Sequence, residues 1–352
     1  MGENHIHCRN GVSRRSLLAA TGTTLGALAA ISAFPGATAM AQNPAGRVPI
    51  RRVIPKTGEQ LPVVGLGTFE TFDVTPGEPR GHVREVLRRF HAAGGRVVDT
   101  SPLYGMSEMS VGDFATELGF ADDLFITNKT WTTGEWLSDN SHSEAQFQRT
   151  MERLWRKSID VQQVHSLENF DQVLHVLRKW KAEGRVRYIG ATQWSPEYYD
   201  TLERLVRAGG LDFIQVNYSI ASRRCEERLL PACVDNGVAV QINMPFEKAR
   251  LFPLVEAQPL PDFAKEFDAA NWAQFFLKFI IANPAVISVI PATSVPEHVT
   301  ENMGALYGDL PDKTMLARMV KHMEGLRGFD GITRQPPYPG KKYGGVVTWP
   351  FR

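Results

Sequence analysis

The sequence predicts a (β/α)8 barrel, and three observations carry that prediction. Short apolar runs rich in Val and Ile alternate with longer amphipathic stretches, and the pairs recur at intervals of ~30 residues until eight are complete. Several of the amphipathic stretches stop at glycine with the next apolar run directly after, at Gly94-Gly95, Gly184, Gly209-Gly210 and Gly237. Glycine takes positive φ without strain, so these positions read as helix stops. No G-x-G-x-x-G joins any run to the helix after it, which counts against the alternative of an open doubly wound sheet with a dinucleotide fold.

The elements follow in order. The run 62–67 (PVVGLG) is a first strand and 82–93 a helix. Strand 96–99 precedes helix 108–118, strand 124–127 precedes a polar loop and helix 143–155, and strand 160–164 precedes helix 170–182. Runs 186–190, 212–216, 238–242 and 286–290 complete eight, each with a helical pattern after it. Most are near-continuous apolar runs, as buried parallel strands should be.

The first 41 residues differ from the rest. Arg14-Arg15 precede a stretch without charge from Ser16 to Gly46, rich in Ala, Gly and Thr, which passes through Ala37-Thr38-Ala39-Met40-Ala41. A positive start, a mildly apolar middle and small-x-small cleavage sites make a secretory signal. Twin arginines and weak hydrophobicity favour the bacterial twin-arginine (Tat) route, with the Tat export machinery as a partner and the periplasm or exterior as destination. Gly22, Thr23, Thr24 and Gly26 make the stretch a poor membrane anchor. The expected organisation is therefore a signal at 1–41, a barrel at 42–328 and an extension at 329–352. Lys and Arg total 39 against 38 Asp and Glu, a balance that does not point to nucleic acid or an anionic membrane. After cleavage Cys225 and Cys233 remain. Placed on one helix they would sit ~12 Å apart, too far for a disulfide, so two free thiols are expected.

In barrels the chemistry sits at the C-terminal ends of the strands. Asp99 closes the second strand, Lys129 follows the third, His165 closes the fourth, and Tyr104 lies in the loop after the second. Each alone has an ordinary structural explanation. Together they supply an acid, a charge that tunes it, a counter-ion for that charge and a second hydrogen-bond donor, all at one mouth. A phenol of pKa ≈ 10 is a weak acid at neutral pH, and an adjacent ammonium lowers that value by stabilising phenolate. Tyr104 would then give and take a proton near neutral pH, with Lys129 as the tuning charge, Asp99 as its salt-bridge partner and His165 as a second hydrogen-bond donor. No His/Cys cluster calls for a metal.

The string Asp99-Thr100-Ser101-x-x-Tyr104-Gly105-x-Ser107-Glu108, then Thr127-Asn128-Lys129, then Val164-His165 resembles the aldo-keto reductase family. So do the first strand through Gly67-Thr68 and the segment from Ile290-Pro291 to Glu301-Asn302, and the likeness spans about 50–325. The resemblance implies interconversion of an aldehyde or ketone with an alcohol by a nicotinamide dinucleotide, with Tyr104 as general acid in reduction and general base in oxidation and His165 orienting the carbonyl. It places the nicotinamide carboxamide on Thr192, Gln193 and Gln215, with Gly67 and Thr68 at the same mouth. It places phosphate on Pro291, Ala292, Thr293, Ser294 and His298, at the start of a helix carrying Glu301 and Asn302. Thr192-Gln193 stands where the family more often has Ser-Asn, keeping a hydroxyl and a primary amide. Asn243 stands where an aromatic ring usually stacks on the nicotinamide, leaving Phe246, Met244 or polar contacts to replace it. NADP-selective relatives carry Lys and Arg where Ala292 and His298 stand. NADP is the first choice and NAD the alternative.

The resemblance leaves a second function open, a cofactor-binding regulatory or sensor subunit with little turnover. Trp131 and Trp136, in the third βα loop, offer an apolar wall for a substrate. The Pro-, Gly- and Tyr-rich tail either covers the mouth or runs along the surface.

Overall fold

The computed structural model describes residues 47–132 and 140–334, so the signal at 1–41, Trp136 and the tail beyond 334 lie outside the described residues. The described chain begins with an antiparallel hairpin of β1 (Arg51–Val53) and β2 (Gln60–Pro62). Eight parallel strands then form one sheet: β3 (Leu66–Gly67), β4 (Val97–Asp99), β5 (Phe125–Thr130), β6 (Ile159–Val164), β7 (Val186–Gln193), β8 (Phe213–Asn217), β9 (Ala239–Asn243) and β10 (Val286–Val289). Each pairs with its neighbour in sequence, and parallel bridges Val64↔Val289 and Gly67↔Ala292 close β10 onto the first strand's segment. The predicted first strand runs from the end of β2 through β3. Its glycines serve the seam: a Cβ on Gly67 would stand 2.7 Å from the Ile290 carbonyl oxygen, and one on Gly65 2.8 Å from that of Val97. The chain approaches too closely there for any side chain.

Ten helices accompany the described strands. They are α1 (Gly81–Ala92), α2 (Ser107–Glu117), α3 (Ser141–Leu154), α4 (Phe170–Ala182), α5 (Tyr199–Ala208), α6 (Leu229–Asp235), α7 (Leu251–Val255), α8 (Trp272–Ile281), α9 (Pro296–Met303) and α10 (Lys313–Glu324). Helix α1 shows why they pack as they do. Val83, Val86, Leu87 and Phe90 recur at helical spacing and are fully buried, each stabilising the layer by roughly 1.5–3 kcal/mol. The predicted glycine stops hold: Gly94, Gly184, Gly209, Gly210 and Gly237 all have positive φ. The turn Phe329–Arg334 buries Phe329 and Ile332 in the same core as the helices.

Two features depart from expectation. The first is the β1–β2 hairpin, whose Ile54 and Leu61 join a second core made by Val97, Phe125, Val161, Phe213, Ala239 and Ile287 inside the strands. This plugs the end opposite the strands' C-termini. The second concerns Cys225 and Cys233, which do not share a helix. Cys225 lies in a short 3-10 turn, and the chain leaves helical geometry at Arg228 before α6 begins. Among the described residues both thiols are free, as expected; both are also buried, and burial pushes both thiol pKa values up, that of Cys233 to about 12.

Candidate active site

Strand alternation fixes which side chains look inward. Val97 belongs to the inner core, so Asp99 two residues on faces the same way; Phe125 brings in Thr127 and Lys129, Phe213 brings in Gln215, and Ala239 brings in Gln241 and Asn243. Above an apolar floor the barrel is therefore lined by polar groups. Lys129 is 1% exposed and donates to Asp99 Oδ2 at 2.7 Å and to the Thr100 carbonyl at 3.0 Å. Burial lowers the Lys129 pKa, and Asp99 works against that fall.

Tyr104 is held over this pair. Its ring centre lies 4.8 Å from Lys129 Nζ and packs edge-on against Phe69 and His165, with centroids 5.0 and 5.9 Å away. Its loop is fixed by short-range bonds. Tyr104 N–H donates to Ser101 O, and Met106 N–H donates to Asp73 Oδ1 at 2.8 Å. Between them Gly105 has φ +58, and a Cβ there would fall 2.0 Å from Asp73 Oδ1. A side chain after the tyrosine would be strained at this φ and would displace the Asp73 carboxylate that holds the loop. Ser107 Oγ donates to Thr68 O, and Thr68 in turn gives its N–H and hydroxyl to the Asp99 carbonyl. Glu108, fully buried, accepts from Asn128 Nδ2, Thr150 Oγ1 and Arg153, while Asn128 Oδ1 accepts the Lys129 N–H at 2.5 Å. The Ser-Glu and Asn of the motif hold the site in place.

His165 follows β6. Its Nδ1 is 3.3 Å from Ser101 Oγ, and burial together with the Lys129 charge pushes its pKa down to about 3. The ring is neutral at ordinary pH. The turn after it is costly, with Ser166, Leu167 and Asn169 all at positive φ, about 1–2 kcal/mol each. Thr192 and Gln193 brace that turn: Thr192 Oγ1 accepts the Ser166 N–H at 2.9 Å, and Gln193 Nε2 donates to the Ser166 carbonyl at 3.2 Å.

The structure adds Gln163 and Gln241 to the residues expected at this mouth. Asp99 Oδ1 accepts from Thr127 Oγ1 at 2.8 Å and from Gln215 Nε2 at 2.7 Å; Gln215 Nε2 also donates to Gln241 Oε1 at 2.7 Å, and Gln241 reaches Thr127 Oγ1 at 3.3 Å. Gln163 shares register with Lys129, is fully buried, and has neither carboxamide atom partnered among the described residues. Nothing short of their inward phase marks Gln163 and Gln241 in the sequence.

The residues expected to hold a dinucleotide gather at the same end of the barrel. Gly67 gives its N–H to Pro291 O across the seam. Ala292 is exposed and Ser294 half-buried, while Thr293 Oγ1 accepts the Val295 N–H ahead of α9 and lies 3.5 Å from His298 Nδ1. Glu301 and Asn302 sit on the last turn of α9. After β9, Met244, Glu247, Lys248 and Ala249 all take positive φ, and buried Glu247 ties the loop down by accepting from Asn217 Nδ2 and Ser219 Oγ. Phe246 packs on Phe252 and Phe276 in the outer core, which removes it as a candidate to stack on a nicotinamide.

The family model described as "Aldo/keto reductase family" matches residues 63–323. The chain is 27% identical over 291 residues to the NADH-specific methylglyoxal reductase of Escherichia coli, covering 68% of this chain and 88% of that one. Its fold is similar to that of a holo-form aldo-keto reductase from Bacillus halodurans (TM-score 0.64, 20% identity, 78% of this chain and 96% of that one). It is also similar to an aldo/keto reductase from Klebsiella pneumoniae in complex with NADPH (TM-score 0.63, 24% identity, 78% and 95%). With the barrel and its mouth in place, the chain belongs to the aldo/keto reductase family and is an NAD(P)-dependent oxidoreductase acting on carbonyls.

Proposed function

We propose that the protein reduces an aldehyde or ketone with Tyr104 as the proton donor, Lys129 as the charge that makes it acidic, Asp99 as the anchor of that charge, and His165 as a neutral hydrogen-bond donor to the carbonyl oxygen. The single observation behind this reading is the buried Lys129–Asp99 pair at 2.7 Å with the Tyr104 ring against the ammonium. A cation in a dry site favours phenolate over phenol, so the tyrosine hydroxyl gives its proton more readily to an oxygen gaining negative charge. Asp99, with donors on both oxygens, keeps Lys129 from turning elsewhere. His165 Nδ1 faces Ser101, leaving its other nitrogen for the carbonyl oxygen.

The residues present fit a nicotinamide dinucleotide, which supplies hydride when bound. Thr192 accepts the Ser166 N–H and so keeps its hydroxyl hydrogen for a carboxamide oxygen. Ser294 and the start of α9 offer a hydroxyl and a helix N-terminus to phosphate. We take NADP(H) as the cofactor, discriminated only weakly from NAD(H) because neither Ala292 nor His298 supplies a permanent cation.

Export by the Tat route belongs to the same proposal, supported by Arg14-Arg15 and the weakly apolar stretch after them. That route carries folded cargo, so cofactor would be loaded in the cytoplasm and retained. A ligand confined to the native state adds ~2.7 kcal/mol at a hundredfold excess over its Kd. Purified protein should consume NADPH, followed at the reduced-nicotinamide absorbance band, with at least one of a panel of aldehydes and ketones. Periplasmic protein should release dinucleotide on denaturation. No consumption with any carbonyl, using NADPH or NADH, refutes the catalytic reading; periplasmic protein that is uniformly empty refutes retention.

A further inference from the structure

We infer that Asn243 accepts a hydrogen bond from the carboxamide N–H2 of the bound nicotinamide and is the residue that recognises that group; the inference rests on the proposed dinucleotide chemistry. The orientation of the Gln215 and Asn243 amides follows from one ion. Asp99, paired with Lys129, can only accept, so Gln215 must turn its Nε2 toward Asp99 Oδ1, and it does so at 2.7 Å. The second hydrogen of that nitrogen goes to Gln241 Oε1 at 2.7 Å. Both amide hydrogens of Gln215 are thus committed to the barrel interior, and its Oε1 faces β9. Asn243, inward on β9, must answer an acceptor with a donor, and its Nδ2 stands 3.3 Å from Gln215 Oε1. The remaining atom, Asn243 Oδ1, is buried and has no partner among the described residues.

A buried acceptor without a donor is unfavourable, and such an atom in a functional mouth is one whose partner arrives with the ligand. The nicotinamide carboxamide is the group of the reacting ring that carries an N–H2 donor. Gln215 Oε1 already accepts from Asn243 Nδ2 and its hydrogens are committed, while Thr192 retains a hydroxyl hydrogen for the carboxamide oxygen. Donor and acceptor therefore fall on different residues: Thr192 for the carboxamide oxygen, Asn243 for its nitrogen.

The test compares NADP with its 3-acetylpyridine analogue, in which the carboxamide N–H2 is replaced by methyl while the carbonyl oxygen stays. Dissociation constants come from quenching of tryptophan fluorescence. Wild-type protein should bind the analogue about tenfold more weakly than NADP, the value of one net hydrogen bond. Asn243→Leu should bind both ligands alike, within about threefold, by weakening NADP alone. Asn243→Ala, which imposes no bulk, should do the same if the leucine variant fails to fold. Discrimination that survives in either folded variant overturns the inference, as does a wild-type protein that binds both ligands equally. Failure of wild type to bind any nicotinamide dinucleotide would instead overturn the proposed function itself.

Discussion

Replacing Asp99 by asparagine tests the electrostatic reasoning most directly, because the carboxylate gathers three donors and an amide can satisfy only some of them. Lys129 Nζ sits at 2.7 Å on one oxygen, Thr127 and Gln215 at 2.8 and 2.7 Å on the other. The introduced amide must turn its N–H2 toward one of these donors. Leaving a buried ammonium unpaired would cost about 3–5 kcal/mol. Lys129 has a cheaper exit: its pKa is already lowered by burial, and the influences that raise it begin with Asp99, so losing that carboxylate drives the lysine further toward the neutral amine. Tyr104 then loses its neighbouring cation. At the ring-centre distance of 4.8 Å and an effective dielectric constant of ~20, that interaction is about 3 kcal/mol, or roughly a hundredfold in the acidity of the phenol. Asp99→Asn should therefore lower kcat/KM for carbonyl reduction at pH 7 by about 10²-fold. Its unfolding free energy, measured in urea, should fall by less than the full cost of a stranded charge. A folded variant with wild-type kcat/KM and an unchanged pH profile would refute the argument.

Tyr104→Phe should cost at least about 10²-fold in turnover with an unaltered dinucleotide Kd, since only proton transfer is lost; steady-state kinetics and fluorescence titration separate the two. Ala292→Lys combined with His298→Arg should tighten NADP more than NAD, because each new cation reaches only the extra phosphate; equal gains in a titration would show that the phosphate lies elsewhere. Lys278, fully buried in α8, donates to the carbonyls of Phe267, Tyr307 and Asp309 at 2.7, 2.7 and 3.0 Å. Lys278→Met strands all three and should lower the unfolding free energy by about 3 kcal/mol in urea without moving kcat/KM, and unchanged stability would show those carbonyls find other donors.

The barrel was legible because its signals are local. Apolar runs and helical spacing act over a few residues, and the glycine stops act at single positions. The β1–β2 hairpin was not, since three-residue strands carry no measurable period. Of the site, Asp99, Tyr104, Lys129 and His165 stood out as polar residues at strand ends, where position alone is informative. Gln163 and Gln241 did not. Each lies inside a strand that reads as buried, and only the inward phase, set by partners in the fold, separates a barrel-lining glutamine from one facing the helices. Gln162 makes the point: one residue from Gln163, it donates to Thr130 Oγ1 instead of facing the mouth. Contacts such as Gln215 with Asp99, 116 residues apart, exist only once the barrel closes. The helix expected to carry both cysteines failed for a related reason, because helix continuity across Arg228 is decided by packing as well as by spacing, although both thiols are free as expected.

The pH dependence of reduction separates the two groups able to supply the proton. His165 is pushed down to about 3, so it is neutral throughout the working range and contributes no ionisation between about pH 5 and 9. An imidazolium acid would instead give a rate that falls as pH rises through about 6.5. Lys129 shifts in the direction that matters for Tyr104: its folded pKa lies below the ordinary lysine value, so the cation is present below that pKa and is lost as pH climbs through it. Reduction should therefore be level from about pH 5 to the lowered lysine value and decline above it, with a midpoint below the ~10.4 of free lysine. Lys129→Met, which has no proton to lose, should be slow at every pH and should lack that lysine-dependent alkaline limb. The decisive measurement is kcat/KM for one carbonyl from about pH 5 to 10, in steps of ~0.5, for wild type, Lys129→Met and His165→Gln. A wild-type profile that drops between about pH 6 and 7 and flattens in His165→Gln would make the histidine the acid. The buried Lys129–Asp99 pair would then serve the fold of the mouth and not the acidity of Tyr104.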